Sequence, residues 1–556
     1  MGAPSPQSNV VRPSSQGGRK VYSFAFEDKP VSCSKPGSHF FLREATGLVK
    51  ELSALDVFVW SIIFFPWLTS WAGIFWVTPD YYLHVNYYAA LGVWSIIAMV
   101  IMLLYWLLTA AIPRSGGDYV FVSRIISSPL GFIGSFLFLL ALLTSAGSGG
   151  YWAFTEAGTD LTFAGQVLGD RWVRNLGIFL TPTTTSSPWT LFALSLLILG
   201  VGAVSAILGG KTLKRVLYAL FGYGLLVLIL VVAVFTFTPH RVFLQDYSDS
   251  FSGGVPAVFR QASAMGYLPF STLGNIGAVI PVLFVSIGPY PVMQFVGGEI
   301  KNPKRSLLIG LVFAEAVSIL VWFGLTYLVD RVLGISFLEA LSVVNGYAIV
   351  PTAFVTLLIP NQMILWIITV GLILGNIGWS WLAFIFISRI FFAWSFDRII
   401  PAKFASVSES RHTPTFALIV ASLLAAVPMY LEYFTSFITA QVNAIFFYTI
   451  VWFLAALSAT LLPYIKKDIF EISPIKAMKV GSIPLITLLG CISMILFAYL
   501  GYYSATNPAV GPFGFGAKIF TLSLIITAIT IYAAAYYWNK RQGIDLKLLL
   551  KQIPPE

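Results

Sequence analysis

Two apolar stretches of this 556-residue chain are interrupted by residues that end helices. In FFPWLTSWAGIFW the breakers are Pro66 and Gly73, and in FVSIGPYPVMQFVGG they are Gly288, Pro289 and Pro291. A helix broken inside an apolar segment leaves unpaired N–H groups where one half begins and unpaired carbonyls where the other ends, each end bearing about half a charge. Backbone alone can then hold a zwitterion, carboxylate on the donors and ammonium on the acceptors. Proline kinks without any ligand are the other reading of the same residues.

Three side chains add chemistry that apolar runs rarely contain. Glu315 lies well inside LLIGLVFAEAVSILVW, whereas Asp56, Glu299 and Asp330 sit near the ends of such runs and can reach water. An acid at that depth costs about 2.5–3.5 kcal/mol on insertion and needs a reason. It is either a proton carrier or a neutral group bonded to a neighbouring helix. Asn376 and Ser380, four residues apart on one helical face, offer two oxygens to a sodium ion, or two hydrogen bonds between helices.

The elements that must position these residues follow from composition. Hydrophobic residues make up 58% and charged residues 10% of the chain, against about 25% charged in soluble proteins. The apolar residues fall in blocks near 20 long, the length that crosses a bilayer. Twelve such spans are expected, at about 55–77, 88–112, 129–156, 188–208, 216–237, 276–298, 306–330, 361–394, 414–432, 443–464, 482–503 and 516–538. With the N-terminus in the cytoplasm, 27 of the 33 Lys and Arg residues fall on the cytoplasmic side. That asymmetry predicts a multi-pass protein of the cell membrane with both termini in the cytoplasm, and explains the net charge of +10 without nucleic acid. Residues 1–40, rich in Ser, Pro and Gly and without the apolar core of a signal peptide, read as a disordered cytoplasmic tail, and 539–556 as a second tail. The exterior segments at about 157–187 and 238–275 are gating lids or plain connectors.

The breaks fall in spans 1 and 6. Five spans apart, the two helices run in opposite directions, the pattern of an inverted repeat whose broken helices meet at the midplane. Cys33 and Cys491 are too far apart in sequence and context to suggest a disulfide framework, and His39, His84, His240 and His412 share no metal-site spacing. No GxxxxGK[ST] loop is present, so accumulation of a solute would draw on an ion gradient or exchange. The spans hold no paired acids or His/Asp/Glu cluster suited to an intramembrane enzyme.

Four stretches are similar to the amino acid permeases of the amino acid-polyamine-organocation superfamily. LREATGLVKELSALDVFVW (42–60) is like the lead-in to helix 1, and IPRSGGDYVFVSRIISSPLGFIGSF (112–136) resembles the segment between helices 2 and 3. GGEIKNPKRSLLIGL (297–311) resembles the helix 6–7 loop, and SRIFFAWSFDRIIPAKFASVSESRHTPTFAL (388–418) the helix 8–9 loop. The sequence departs from the family pattern at three places: Trp71 stands where the first glycine of Gly-x-Gly-Ile-Phe is usual, the helix 6 break lacks the usual acid, and Phe396-Asp397-Arg398 replaces Arg-Asp-Gly.

The resemblance implies an all-α polytopic membrane protein of 12 transmembrane helices in a LeuT-like 5+5 inverted repeat, with discontinuous helices 1 and 6. One transporter domain would span 41–538, with repeats at about 55–237 and 276–464 and helices 11–12 at 482–538. It further implies a permease that moves a small-molecule substrate, an amino acid or related amine, by alternating access. The carboxylate would meet the backbone of Thr69, Ser70, Ala72 and Gly73, and the amine that of Ser286, Ile287 and Gly288. Trp71, Tyr290 and Trp379 would shape the pocket. No cofactor is implied beyond H+ or Na+ coupling through Glu315 or through Asn376 and Ser380. A polyamine or organocation carrier, and a sensor or assembly subunit that keeps the permease fold without turnover, are the alternatives.

Overall fold

The computed structural model describes residues 48–76, 86–267, 276–288, 291–345, 349–408, 410–435, 444–506, 515–544 and 546. The expected tail at 1–40, most of the one at 539–556, and Tyr290 lie outside the described residues.

The first apolar segment is two helices, α1 (Ala54–Phe64) and α2 (Trp67–Trp76). Ser53 caps α1 in a capping box with Asp56, the two side chains exchanging bonds with each other's backbone N–H. Next come α3 (Tyr87–Ala111), the short α4 (Asp118–Ile125), the 40-residue α5 (Ser128–Val167) and α6 (Arg171–Leu180). The helices α7 (Pro188–Ile207) and α8 (Gly210–Phe237) precede two amphipathic pieces, α9 (His240–Ser250) and α10 (Gly254–Ala264).

The second half opens with α11 (Ile276–Ile287) and two 3-10 turns, Val292–Phe295 and Gly297–Glu299. Then follow α12 (Pro303–Val332), α13 (Ile335–Asn345), α14 (Ala353–Leu358) and the 35-residue α15 (Gln362–Phe396). The chain continues through α16 (Thr415–Phe434), α17 (Ala444–Ile465), α18 (Lys467–Ile472), a hairpin of Lys479–Val480 with Ile483–Pro484, α19 (Leu485–Thr506) and α20 (Phe515–Arg541).

Among the described residues, 11 helices are long and apolar enough to cross a membrane. The expected span at 276–298 is not one of them, because α11 stops after 12 residues at Ile287. The third span is longer than expected, α5 continuing past 156 to Val167. The segment after it, expected to be exterior, is therefore helix rather than loop for most of its length, and 238–275 likewise holds α9 and α10.

The helices α5 and α15 pack along each other through the centre, and α1, α2, α8 and α16 flank α15. Small residues set these approaches. A Cβ on Gly147 would press on the backbone of α16, on Gly149 on Ser380, and on Gly202 on the Trp381 indole. Within α12 the stretch Leu308–Phe313 winds as a π-helix, a local extra residue per turn that often marks a functional site. Its Gly310 sits directly against Val57 of α1.

Gly310→Val therefore inserts atoms where none fit, and a loss of about 1–3 kcal/mol, read as a lower thermal midpoint in detergent, is expected. Gly222→Ala, where a Cβ meets open space, should leave the midpoint unchanged or raise it.

Candidate functional site

Pro66 alone breaks the first span. It has no N–H and pushes Phe65 out of helical geometry, and Phe65 is found at φ −129°, ψ 78°. The α1 ladder closes with Phe65 N–H donating to the Ser61 carbonyl, and α2 restarts with Ser70 N–H donating to the Pro66 carbonyl. The donors that the break opens are thus those of Trp67, Leu68 and Thr69, in the first turn of α2.

This corrects the expected placement. Thr69, Ser70, Ala72 and Gly73 are helical, and only Thr69 belongs to the first turn. A lone glycine costs a helix about 1 kcal/mol and an interior proline about 3, so Gly73 is carried through while Pro66 is not. The Trp71 indole is fully buried and turned aside, its Nε1 donating to Thr326 Oγ1 at 3.1 Å.

In the sixth segment α11 ends at Ile287, and Gly288 stands outside the helix. Ser286 and Ile287 occupy its last turn, where carbonyls lack intrahelical donors. Trp94 Nε1 reaches the Ile287 carbonyl at 3.4 Å. The helices α2 and α11 pack against each other, so the two interrupted segments are neighbours.

Beside the first break, between Pro66, Thr69, Phe221 of α8 and the Gly371, Gly375 and Gly378 face of α15, lies a cavity of about 50 Å³. The glycines create it: a Cβ on Gly375 would stand 2.8 Å from Thr69 Cγ2, and one on Gly378 2.9 Å from Ile63 Cγ2. The space is well below the roughly 300 Å³ of a small-molecule pocket, so the surrounding helices must part before a ligand enters.

Glu315 is brought to this region. It shares a face of α12 with Ser318, Trp322 and Thr326, and that face is laced to α2. Trp67 Nε1 donates to Ser318 Oγ at 2.7 Å, and Trp322 Nε1 to the Trp67 carbonyl at 3.2 Å. Glu315 itself is buried, and its Oε1 has no hydrogen-bond partner among the described residues.

Asn376 and Ser380 are not brought there. They point from α15 toward α5, away from the glycine face that meets the break. Ser380 Oγ donates to the Ala146 carbonyl at 2.6 Å. Asn376 Nδ2 donates to Glu156 Oε2 at 2.8 Å and to the Leu372 carbonyl at 3.0 Å, while its Oδ1 accepts from Trp379 Nε1 at 3.2 Å. A carbonyl only accepts and an indole N–H only donates, so both ends of the amide are fixed and its oxygen is already taken.

Glu156 and Asp160 are two buried acids that sequence reasoning missed. They fall at the last residue of the expected third span and just beyond it. The signal was present as TxxxTD and ExxxD within an unbroken run free of proline from 130 to 181. Asp160 Oδ2 lies 3.5 Å from Thr369 Oγ1, which donates to the Leu365 carbonyl at 2.9 Å.

The motifs that flank the spans form a second layer of polar contacts. Arg124 makes a two-pronged pair with Asp397, NH1 to Oδ2 at 2.8 Å and NH2 to Oδ1 at 2.7 Å, and Tyr119 OH adds a third bond at 2.6 Å. Arg389 clasps Glu299 through Nε and NH2, each at 2.8 Å. Asp118 is buried beneath Tyr105 OH, 2.7 Å away, and Gln294 Nε2, 3.2 Å away. Burial pushes its carboxyl up to about 6, against the pull of those two donors. At the departed Arg-Asp-Gly motif, Arg398 occupies the glycine's place at φ +60°, and its Nε is buried without a partner among the described residues.

Two outcomes follow. Arg398→Gly relieves a left-handed backbone that costs a side-chain-bearing residue about 1–2 kcal/mol, and should raise the thermal midpoint by the equivalent of about 1 kcal/mol. Asp118, with its folded value above the unfolded one near 3.9, contributes stability that is complete below about pH 4 and is lost as pH rises through about 6. The midpoint of the parent should fall over that window relative to Asp118→Asn, which keeps the shape and does not titrate; parallel curves would refute it.

Residues 58–538 match the family model described as amino acid permease. The chain is also similar to the methylthioribose transporter of Bacillus subtilis (strain 168), 26% identical over 149 residues. That match covers 27% of this chain and spans 30% of that relative's length. Long apolar helices throughout, paired interrupted segments and a family match over most of its length identify a multi-pass membrane transporter, and the chain belongs to the amino acid permease family.

Proposed function

We propose that the protein is a secondary transporter of an amino acid or related amine, working by alternating access between two inverted five-helix repeats, α1–α8 and α11–α17. In this reading α11 and the chain after it make the sixth of twelve spans, α19 and α20 are the last two, and both termini are cytoplasmic. The observation that carries the proposal is the packing of α2 on α11: a half-helix beginning at Pro66 next to one ending at Ile287. One supplies donors and the other acceptors, the two halves of a zwitterion site.

The carboxylate then docks on the first turn of α2, at Trp67, Leu68 and Thr69, and the amine on the carbonyls around Ser286 and Gly288. Tyr290 and Trp379 shape the rest of the pocket. Since the cavity at the hinge has room for only a few waters, substrate entry requires α1–α2 to swing against the glycine face of α15.

Glu315 is the coupling residue. It lies on the α12 face that holds Trp67, so a change in its charge acts on the first turn of the binding helix. A thermal-shift screen of the purified protein against amino acids and polyamines tests the substrate class. At about 100 times its Kd, a ligand of the native state adds about 2.7 kcal/mol. Stabilisation by one group of zwitterionic amino acids is expected, and a flat response to all of them overturns the reading. With a ligand in hand, Glu315→Gln in liposomes should still exchange substrate for substrate but fail to concentrate it on an imposed pH gradient. Accumulation equal to the parent's would leave Glu315 a structural residue.

A further inference from the structure

We propose that Glu156 and Asp160 form a second proton-holding site, in the part of α5 covered by α14, and that its charge state is passed to Trp379 through Asn376. The use of this proton in coupling rests on the transporter reading above; its presence does not.

The two acids are four residues apart, so they share one face of α5 as adjacent side chains. Glu156 is 4% exposed and Asp160 1%, and among the described residues neither belongs to an ion pair. Their surroundings offer no counter-charge. The helix α14, the facing part of α15 from Gln362 to Trp379, and α7 carry no Lys, Arg, His, Asp or Glu. On α6, Arg171 and Arg174 are exposed. On α16 the one acid, Glu432, is placed toward Tyr151. Two adjacent carboxylates without a cation in low dielectric repel each other and lose their hydration, and a shared site of this kind retains a proton.

A second observation points to the same place. Asp160 Oδ1 is buried without a hydrogen bond, and so are Thr352 Oγ1 and Thr356 Oγ1, from residues 0% and 1% exposed at the α14 end. Thr352 lies beside Asp160. A protonated Asp160 has one acceptor fewer to satisfy here and can donate to the neighbouring Thr352 or Thr369 oxygen. On Glu156 the fixed NH2 of Asn376 donates, while the Thr369 hydroxyl, 3.5 Å from Asp160 Oδ2, gives its one proton to the Leu365 carbonyl at 2.9 Å and so offers Asp160 an acceptor. A carboxyl suits such a setting, whereas a metal cation would need oxygens turned inward.

The hydrogen bonds lead onward from Glu156 Oε2 to Asn376 Nδ2, and from Asn376 Oδ1 to Trp379 Nε1. Loss of the proton strengthens the charge-assisted bond to Asn376 and, through the rigid amide, holds the half-buried Trp379 in place.

Infrared difference spectroscopy on the full chain in lipid nanodiscs, titrated from about pH 5 to about pH 9 with no ligand added, tests the site directly. The expected signal is a protonated-carboxyl carbonyl band at neutral pH that shifts in D2O. Glu156→Gln combined with Asp160→Asn should remove that component, and Glu315→Gln should leave it. If the double variant does not fold, Glu156→Asp and Asp160→Glu keep the carboxyls, and each should shift the band's frequency. A protonated-carboxyl spectrum that the double variant leaves unchanged, or that neither conservative variant moves, overturns the proposal. The spectra need no transported substrate, so failure of the transporter reading would leave this result standing, and the reverse.

Discussion

Inside a bilayer no water is present to satisfy a backbone group, and every exposed N–H or carbonyl there costs several kcal/mol. The arrangement of this molecule follows from that constraint acting on two broken helices. Pro66 frees donors and Ile287 frees carbonyls, so both ends have to be enclosed by protein. Gly371, Gly375 and Gly378 let α15 close on the hinge from one side. From another, α12 offers Ser318 and Thr326 as acceptors for the indoles of Trp67 and Trp71, and its Trp322 as a donor to the Trp67 carbonyl. Tryptophan suits this work because it fills space and brings one donor.

The charged loops hold the ends of the same helices. Arg124 with Asp397 ties α4 to the end of α15, and Arg389 with Glu299 ties α15 to the turn that follows the sixth segment. Glu299 also takes the N–H groups of Glu51 and Leu52 on its backbone carbonyl, which brings the lead-in to α1 to the same point. A buried pair of this kind adds little net stability but is costly to break singly, since the remaining charge is stranded. Its effect is to fix which loops meet.

Eleven of the twelve expected spans, the two interruptions and the loop motifs were legible in the sequence because each has a strong local cause: hydrophobic length, proline, or a polar cluster. The position of the first break was legible only in part. Pro66 and Gly73 both read as breakers, and the difference of about 2 kcal/mol between them decides in favour of the proline. Glu156 and Asp160 stand at the end of the expected third span and just past it, where nothing local marks them as buried, yet the helix runs on and α14 covers it. Burial by a segment almost 200 residues later in the chain leaves no local trace. Likewise the glycine face and the Asn376 face of α15 are both small and polar enough to meet an ion, and only the packing partner tells them apart.

The tryptophan at position 71 follows from the same packing. In the family pattern a glycine there gives the backbone room. Here the Trp71 side chain leaves along α12, toward Thr326, and does not occupy the hinge. The room is made instead on the opposite wall, where Gly375 stands against Thr69. A close approach between two elements requires a missing Cβ on one of them, not on both. Once α15 supplies the absence, α2 is free to carry a large residue, and the opening of the helix passes from glycine to Pro66.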